Sequence, residues 1–234
     1  MEAAAMGAFS LIDWDSVEVL GVGTGRTVAE FLRVAADGAA RKPFVVPSSL
    51  QTALLARRYG FKVVDPRAGY EVDVYVDGAD EVELVSGSMI KGGGGALLGE
   101  KILAWGSGRN VFMVGDDKVV EKLGTRTPVP LEVVNGFAGT VLGYLEQMGF
   151  RASIREGAGK RGPVVSDWGG VIIDVHTGAM EKPDMIDSML KSIPGVVETG
   201  IFVGYADVII VGYGGSCEWR RFDFNRAAGL GRRR

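Results

Sequence analysis

Short apolar runs alternate with amphipathic stretches through the first half of the chain. Residues 17–20 read as a strand that enters Gly21-Val22-Gly23-Thr24-Gly25, and residues 27–36 carry apolar side chains at helical spacing (Val28, Phe31, Leu32, Ala35). Residues 44–46 form a second strand, and Ser48 and Ser49 are N-cap candidates for a helix reaching Arg58. Residues 61–64 and 72–76 are two more strands, the latter ending on Asp77; a helix over 96–105 and a strand over 110–114 follow. This alternation predicts βαβ units and a mainly parallel sheet covered by helices on both faces. Ligands of such sheets sit outside the carboxyl ends of the strands. The 21–27 loop, Ser48, Asp77 and Asp116 all fall at those ends.

The pattern changes near Thr127-Pro128-Val129-Pro130. Strand (131–134), helix (136–148), strand (151–155), strand (171–175), helix (183–192) and strand (196–202) follow, the β-α-β-β-α-β order of a ferredoxin-like α+β unit. Ser166 to Gly170 reads as a turn, and residues 206–211 as a further strand returning to the first sheet. The expected organisation is an α/β domain over 1–126 completed by 203–216, a smaller α+β domain over 127–202, and an Arg-rich tail over 217–234. The tail carries Arg220, Arg221, Arg226, Arg232, Arg233 and Arg234 and reads as a frayed, solvated terminus rather than a nucleic-acid arm.

Composition narrows the function. The single cysteine, Cys217, excludes an intrachain disulfide and Cys-rich zinc sites, and fits a reducing, cytoplasmic setting. One histidine, His176, excludes paired-His metal motifs and reads as structural. A net charge of −3 offers no global field for nucleic acid. No apolar run is long enough for a membrane span, and the first nine residues do not form a signal peptide.

The chemistry concentrates in residues 77–101. Asp77 and Asp80 flank a Gly78-Ala79 turn, and neighbouring carboxylates can divide acid and base roles. With Glu81 and Glu83 they could also supply oxygen ligands to a cation, which Lys91 would oppose. Lys91 leads into Gly92-Gly93-Gly94-Gly95, a flexible stretch suited to close backbone approach or a nest of N–H donors. Glu100 follows just inside a helix. The 21–27 loop, with Thr24, Gly25, Arg26 and Thr27 at a helix start, suits a phosphate. Arginine at 26 breaks the dinucleotide fingerprint, and no acidic residue follows the second strand to grip a ribose, so the loop reads as a monophosphate cup. Walker and G-x-S-x-G motifs are missing from the sequence. Lys118, after the fifth strand, is a candidate for a phosphate or sugar contact.

With these segments assembled, the chain resembles the type A ribose-5-phosphate isomerase family. The match rests on Asp77-Gly78-Ala79-Asp80-Glu81 and Lys91-Gly92-Gly93-Gly94-Gly95 at this spacing, with Gly21-Val22-Gly23-Thr24-Gly25, Glu100-Lys101-Ile102, Pro128-Val129-Pro130-Leu131-Glu132-Val133 and Pro194-Gly195-Val196-Val197-Glu198. The resemblance implies a Rossmann-like α/β domain with an inserted ferredoxin-like domain. It implies interconversion of D-ribose 5-phosphate and D-ribulose 5-phosphate through an enediolate in the non-oxidative pentose phosphate pathway, without metal or organic cofactor, by a homodimer or homotetramer. By motif, Glu100 looks like the base, Asp77 like the group assisting ring opening, and Asp80 with Lys91 like the pair that orients and neutralises the oxyanion. Thr24 to Thr27, Ser48, Gly78, Ala79, Gly92, Gly93, Gly94 and Lys118 look like substrate contacts. Arg26 stands where serine is common in the family, and residues 1–12 lack its N-terminal lysine, so the first helix is expected to be short or missing. A sugar-phosphate sensor and a CoA transferase-like enzyme are the competing classes. The former would need a DNA-binding helix pair, for which the residues before the first strand leave no room.

Overall fold

The computed structural model describes residues 1–159, 161–214 and 217–226. In chain order the elements are α1 (Glu2–Ser10), β1 (Val19–Val22), α2 (Arg26–Gly38), β2 (Phe44–Pro47), α3 (Leu50–Arg58), β3 (Lys62–Val63), β4 (Val74–Asp77), β5 (Glu81–Glu83), β6 (Ser88–Ile90), α4 (Leu97–Gly106), β7 (Arg109–Gly115), β8 (Val119–Val120), β9 (Val129–Val133), α5 (Ala138–Gln147), β10 (Arg151–Ile154), β11 (Val171–His176), α6 (Pro183–Lys191), β12 (Val196–Thr199), β13 (Ile201–Phe202), β14 (Val208–Gly212) and β15 (Trp219–Asp223). They form two compact units.

The first unit comprises Met1–Ala79, Gly99–Val119 and the described residues from Gly204 on. Its sheet, among the described residues, runs β15-β14-β7-β4-β1-β2-β3, parallel throughout except for β15. The strands are buried on both faces, so they read as apolar runs rather than alternations. One core joins α1 and α2 to the sheet through Ala4, Ala8, Phe31, Leu32, Val22, Val76, Met113 and Ile210. Parallel strands put their carboxyl ends on one edge. Gly23, Ser48, Asp77 and the Asp116–Lys118 turn therefore share that edge.

The first helix is not missing but short, nine residues, as one of the two expected alternatives had it: α1 buries Ala3, Ala4, Ala5, Gly7 and Ala8, a face of small residues that hydrophobic periodicity does not reveal. Gly7 is required there, since a Cβ would lie 2.7 Å from Trp219 Cδ2. The expectation of a frayed tail is corrected at its start. Residues 219–223 pair antiparallel with β14 as the edge strand β15. Arg226, only 6% exposed, donates to the carbonyls of Ala104 (2.7 Å), Trp105 (2.6 Å) and Ser107 (2.5 Å) at the end of α4. It supplies both donors and a positive charge to a helix C-terminus. Arg226→Ala is expected to lose about 3 kcal/mol in denaturant unfolding, whereas exposed Arg221→Ala should change stability by less than about 0.5 kcal/mol. Arg232, Arg233 and Arg234 lie outside the described residues.

The second unit comprises Asp80–Leu98 and Val120–Val203. Its larger sheet has the order β10-β11-β9-β12 with antiparallel neighbours, the split arrangement expected from the β-α-β-β-α-β sequence. Leu131, Val133, Ile173 and Val175 meet Val141, Leu145 and Leu190 of α5 and α6 in its core. The expected single strand over 196–202 is two strands. At Gly200 the chain leaves β9 and pairs, as β13, with β6. A Cβ on Gly200 would lie 2.2 Å from the Lys91 carbonyl, and Gly200 O accepts from Lys91 N at 2.8 Å. The β5–β6 hairpin, not read as strands in the sequence, completes a small sheet in the order β13-β6-β5-β8. Among the described residues, no helix is long and apolar enough to cross a membrane.

Candidate active site

In the first unit Tyr75 and Asp77, two apart on β4, project from the same side of the strand. Both are fully buried, and the Tyr75 hydroxyl donates to Asp77 Oδ2 at 2.5 Å. The Gly78 N–H donates to Asp77 Oδ1 at 2.7 Å. Glycine at 23 makes room for this carboxylate: a Cβ there would lie 1.9 Å from Asp77 Cγ. Glu100, on α4, is 2% exposed. Burial, and then the charges of Asp77 and Glu100, push the Tyr75 phenol well above its ordinary range, so it remains a proton donor at neutral pH. Asp77 and Glu100 thus act on one buried phenol, although 23 sequence positions (100 − 77) separate them.

Beside them lies the 23–27 loop. Thr24 Oγ1 reaches Ser48 Oγ (2.8 Å), Ser49 Oγ (2.7 Å) and Thr52 Oγ1 (3.3 Å), and Thr52 donates to Gly23 O at 2.6 Å. This hydroxyl cluster ties the β1 loop to the cap of α3, where Ser49 accepts from Thr52 N. Gly25, at φ +136°, is the N-cap of α2, whose first turn carries no acidic residue. Its exposed start, Gly25-Arg26, offers N–H groups and a helix dipole. Gly78 is close to Thr27: a Cβ would lie 3.9 Å from Thr27 Cβ. Lys118 is partly exposed, 4.0 Å from Asp117.

The second unit holds Ala79's neighbour Asp80, with Lys91 and the glycines. Asp80 Oδ2 accepts from Gly93 N at 2.7 Å, and a Cβ on Gly93 would lie 2.6 Å from Asp80 Oδ1. Gly92, at φ +105°, has space for no Cβ: one would lie 2.9 Å from Leu97 Cβ. Gly93 and Gly94 are exposed, whereas Lys91 is 2% exposed with Nζ 5.4 Å from the Phe202 ring centroid. Sequence reasoning missed the residue that holds this loop. Arg155 Nη1 donates to Gly92 O (2.8 Å) and Gly93 O (3.0 Å), while its Nε and Nη2 grip Asp174 at 2.8 and 2.5 Å. No motif surrounds Arg155; only the pairing of β10 with β11 reveals it.

Glu81 has a structural task. Its two oxygens accept from the N–H groups of Gly124 (2.7 Å), Arg126 (2.6 Å) and Thr127 (2.7 Å), which pins that loop. Among the described residues, no group of three or more His, Cys, Asp or Glu side chains is arranged to hold a metal.

A profile of ribose 5-phosphate isomerase A (phosphoriboisomerase A) matches residues 44–215. The chain belongs to the ribose 5-phosphate isomerase A family. Its relatives include the ribose-5-phosphate isomerase A of Aeropyrum pernix, 53% identical over 222 residues that cover 94% of this chain and 93% of the relative. That of Methanothermobacter thermautotrophicus is 40% identical over 91% of this chain and 94% of the relative. Among solved structures, the family member from Methanocaldococcus jannaschii superposes with a TM-score of 0.87 at 36% identity, covering 95% of this chain and 97% of the other. A D-ribose-5-phosphate isomerase in complex with phospho-erythronic acid gives 0.88 at 33% identity, with the same coverage. The mixed α/β fold with a mainly parallel central sheet is thus that of the family.

A further carboxylate belongs to the second unit's framework. Glu132 on β9 is 1% exposed, and the Ser166 hydroxyl donates to its Oε1 at 2.5 Å. Burial raises its carboxyl above the usual 4.5, helped by Asp167 and Glu198 and opposed by Ser166 and the Gly170 N–H. A carboxyl raised by folding favours the folded state at low pH, and that contribution is lost as pH climbs from 4.5 through the raised value. The isostere Glu132→Gln has no such titration. Its unfolding free energy relative to the parent should rise across that window and then level off. A flat difference from pH 4 to 8 would contradict this.

Proposed function

We propose that in this ribose-5-phosphate isomerase Glu100 carries the proton between C2 of ribose 5-phosphate and C1 of ribulose 5-phosphate, with Asp77 serving the oxygen protons and ring opening. The barrier of such an isomerisation lies in forming a carbanion beside a carbonyl. A base must reach the carbon-bound proton while a cation or N–H groups meet the growing oxyanion. The observation that carries the reading is the buried trio of Asp77, Tyr75 and Glu100, which keeps two carboxylates away from bulk water beside one donor. Lys91 neutralises the enediolate oxygen and Asp80 orients the glycine loop. Gly93's amide is committed to Asp80, so the reading gives the amide role to Gly94. The N–H groups at the start of α2, with Thr24, Arg26 and Thr27, hold the phosphate. Ser48 and Lys118 complete its surroundings, and Gly78, Ala79 and Gly92 bring backbone close to the sugar.

A sugar-acid phosphate is the ligand of a related isomerase, and its carboxylate places two oxygens in one plane as an enediolate does. The chain acts on a free sugar phosphate in the cytoplasm, as a homodimer or homotetramer. Light scattering of the purified protein tests the assembly. In D2O, enzyme supplied with ribose 5-phosphate should deliver deuterium to C1 of the ketose. Lys91→Ala should lower kcat about 10²–10³-fold, the effect of removing one oxyanion donor, with KM changed much less. A rise in KM at unchanged kcat would make Lys91 a binding residue only.

A further inference from the structure

We propose that Tyr75 is a positioning residue for the isomerisation: its hydroxyl locks Asp77 in one rotamer as a hydrogen-bond acceptor beside Glu100. The inference rests on the role given to Asp77 above. It comes from a built slot rather than from a motif. Gly21 on β1 is the register partner of Tyr75 on β4, and a Cβ at Gly21 would lie 3.0 Å from Tyr75 Cδ2. Two residues on, Gly23 clears the space filled by the Asp77 carboxylate. Gly21 of β1 and Gly23 just past its end thus carve the space for the ring and the acid of β4. Phe112 of β7 packs edge-on against the same ring at 6.1 Å. The phenol is confined by its neighbours, and its hydroxyl meets Asp77 Oδ2 at 2.5 Å.

Polar surroundings define what the hydroxyl does. The titratable groups acting on it are Asp77 from its own strand and Glu100 from α4; β1 and β7 bring Gly21 and Phe112. Toward two ionised carboxylates, which offer no proton, a phenol that keeps its own acts as the donor. Donation to Asp77 favours the ionised acid and fixes which oxygen faces the Gly78 N–H. A residue acting this way contributes to turnover and to the protonation profile, and little to substrate affinity.

The test is Tyr75→Phe, which keeps the ring and removes one oxygen. We expect kcat to fall about 10- to 100-fold with KM within about threefold. We also expect the acid limb of kcat/KM to move up by about one pH unit, the effect of removing one hydrogen bond to a charged group. A Tyr75→Phe enzyme whose acid limb matches the parent's overturns the proposal, whatever its kcat. Site-specific 3-fluorotyrosine at 75 keeps the shape with a more acidic phenol. It should move the limb downward, and it decides the matter if Tyr75→Phe does not fold; an unmoved limb there counts against the lock. Asp77→Asn separates the two layers. Parental activity in Asp77→Asn would remove Asp77 from the reaction, whereas an inactive Asp77→Asn beside an unshifted Tyr75→Phe would remove only Tyr75.

Discussion

Glu100→Gln should lower kcat by about 10³-fold, roughly 4 kcal/mol of transition-state free energy, and should stop deuterium uptake at C2 of recovered ribose 5-phosphate. The amide keeps the size of the carboxylate but cannot accept a proton from carbon. Glu100 is 2% exposed on α4, so no surface carboxylate can readily substitute by swinging into its place. On the proposed reading KM should change little, because the side chain is assigned to the reacting carbon and the anchoring to the phosphate end. Carbon exchange at the parental rate in this variant would exclude Glu100 as the base and move that role to Asp77 or Asp80.

Gly23→Ala is expected to be nearly as damaging, from a position that bears no functional group. The added methyl would lie 1.9 Å from Asp77 Cγ and 2.0 and 2.3 Å from its oxygens, so carboxylate or strand must move. The strand is held: Gly23 N donates to Val76 O at 2.9 Å, in line with the β1–β4 register. The carboxylate must therefore leave its place, giving up the Tyr75 hydroxyl and the Gly78 N–H. We expect kcat to drop by at least about 10²-fold and stability to fall by about 1–3 kcal/mol from overpacking. Gly139→Ala in α5 is the control, since no atom lies within 4 Å of its added methyl. It should be neutral or stabilise by about 0.4–1 kcal/mol. Equal kinetics for Gly23→Ala and the parent would mean that Asp77 need not occupy its buried position.

Much of this architecture was legible because parallel strands buried on both faces write themselves as apolar runs. β1, β2, β4, β7 and β14 fall within a few residues of where those runs lie. The ferredoxin-like order was legible for a similar reason, with helices and strands of distinct period. The features that stayed hidden lack periodicity. α1 buries alanines, which scarcely differ in hydropathy from the positions between them. β5 and β6 are three residues each and carry Glu81 and Ser88 inward, where backbone amides and a serine hydroxyl satisfy them. Among the candidate residues, the Asp-Gly-Ala-Asp-Glu and Lys-Gly-Gly-Gly segments announced themselves by composition. Arg155 and Tyr75 did not, because a lone arginine at a strand end and a tyrosine in an apolar run are ordinary in any protein. Their significance comes from contacts, 62 residues away in sequence for Arg155 with Gly93 and across β1 for Tyr75.

The seal on the far end of α4 has a consequence for biosynthesis. Ser107 and the guanidinium that closes over it are 119 positions apart. At about 5–20 residues per second of translation, roughly 6–24 s pass between making the helix and making its closing arginine. Through that interval the Trp105 and Ser107 carbonyls, at the end of the segment bearing Glu100, go without the guanidinium. A nascent chain stalled before codon 226 should therefore show this helix exchanging its amide hydrogens far faster than the finished protein does.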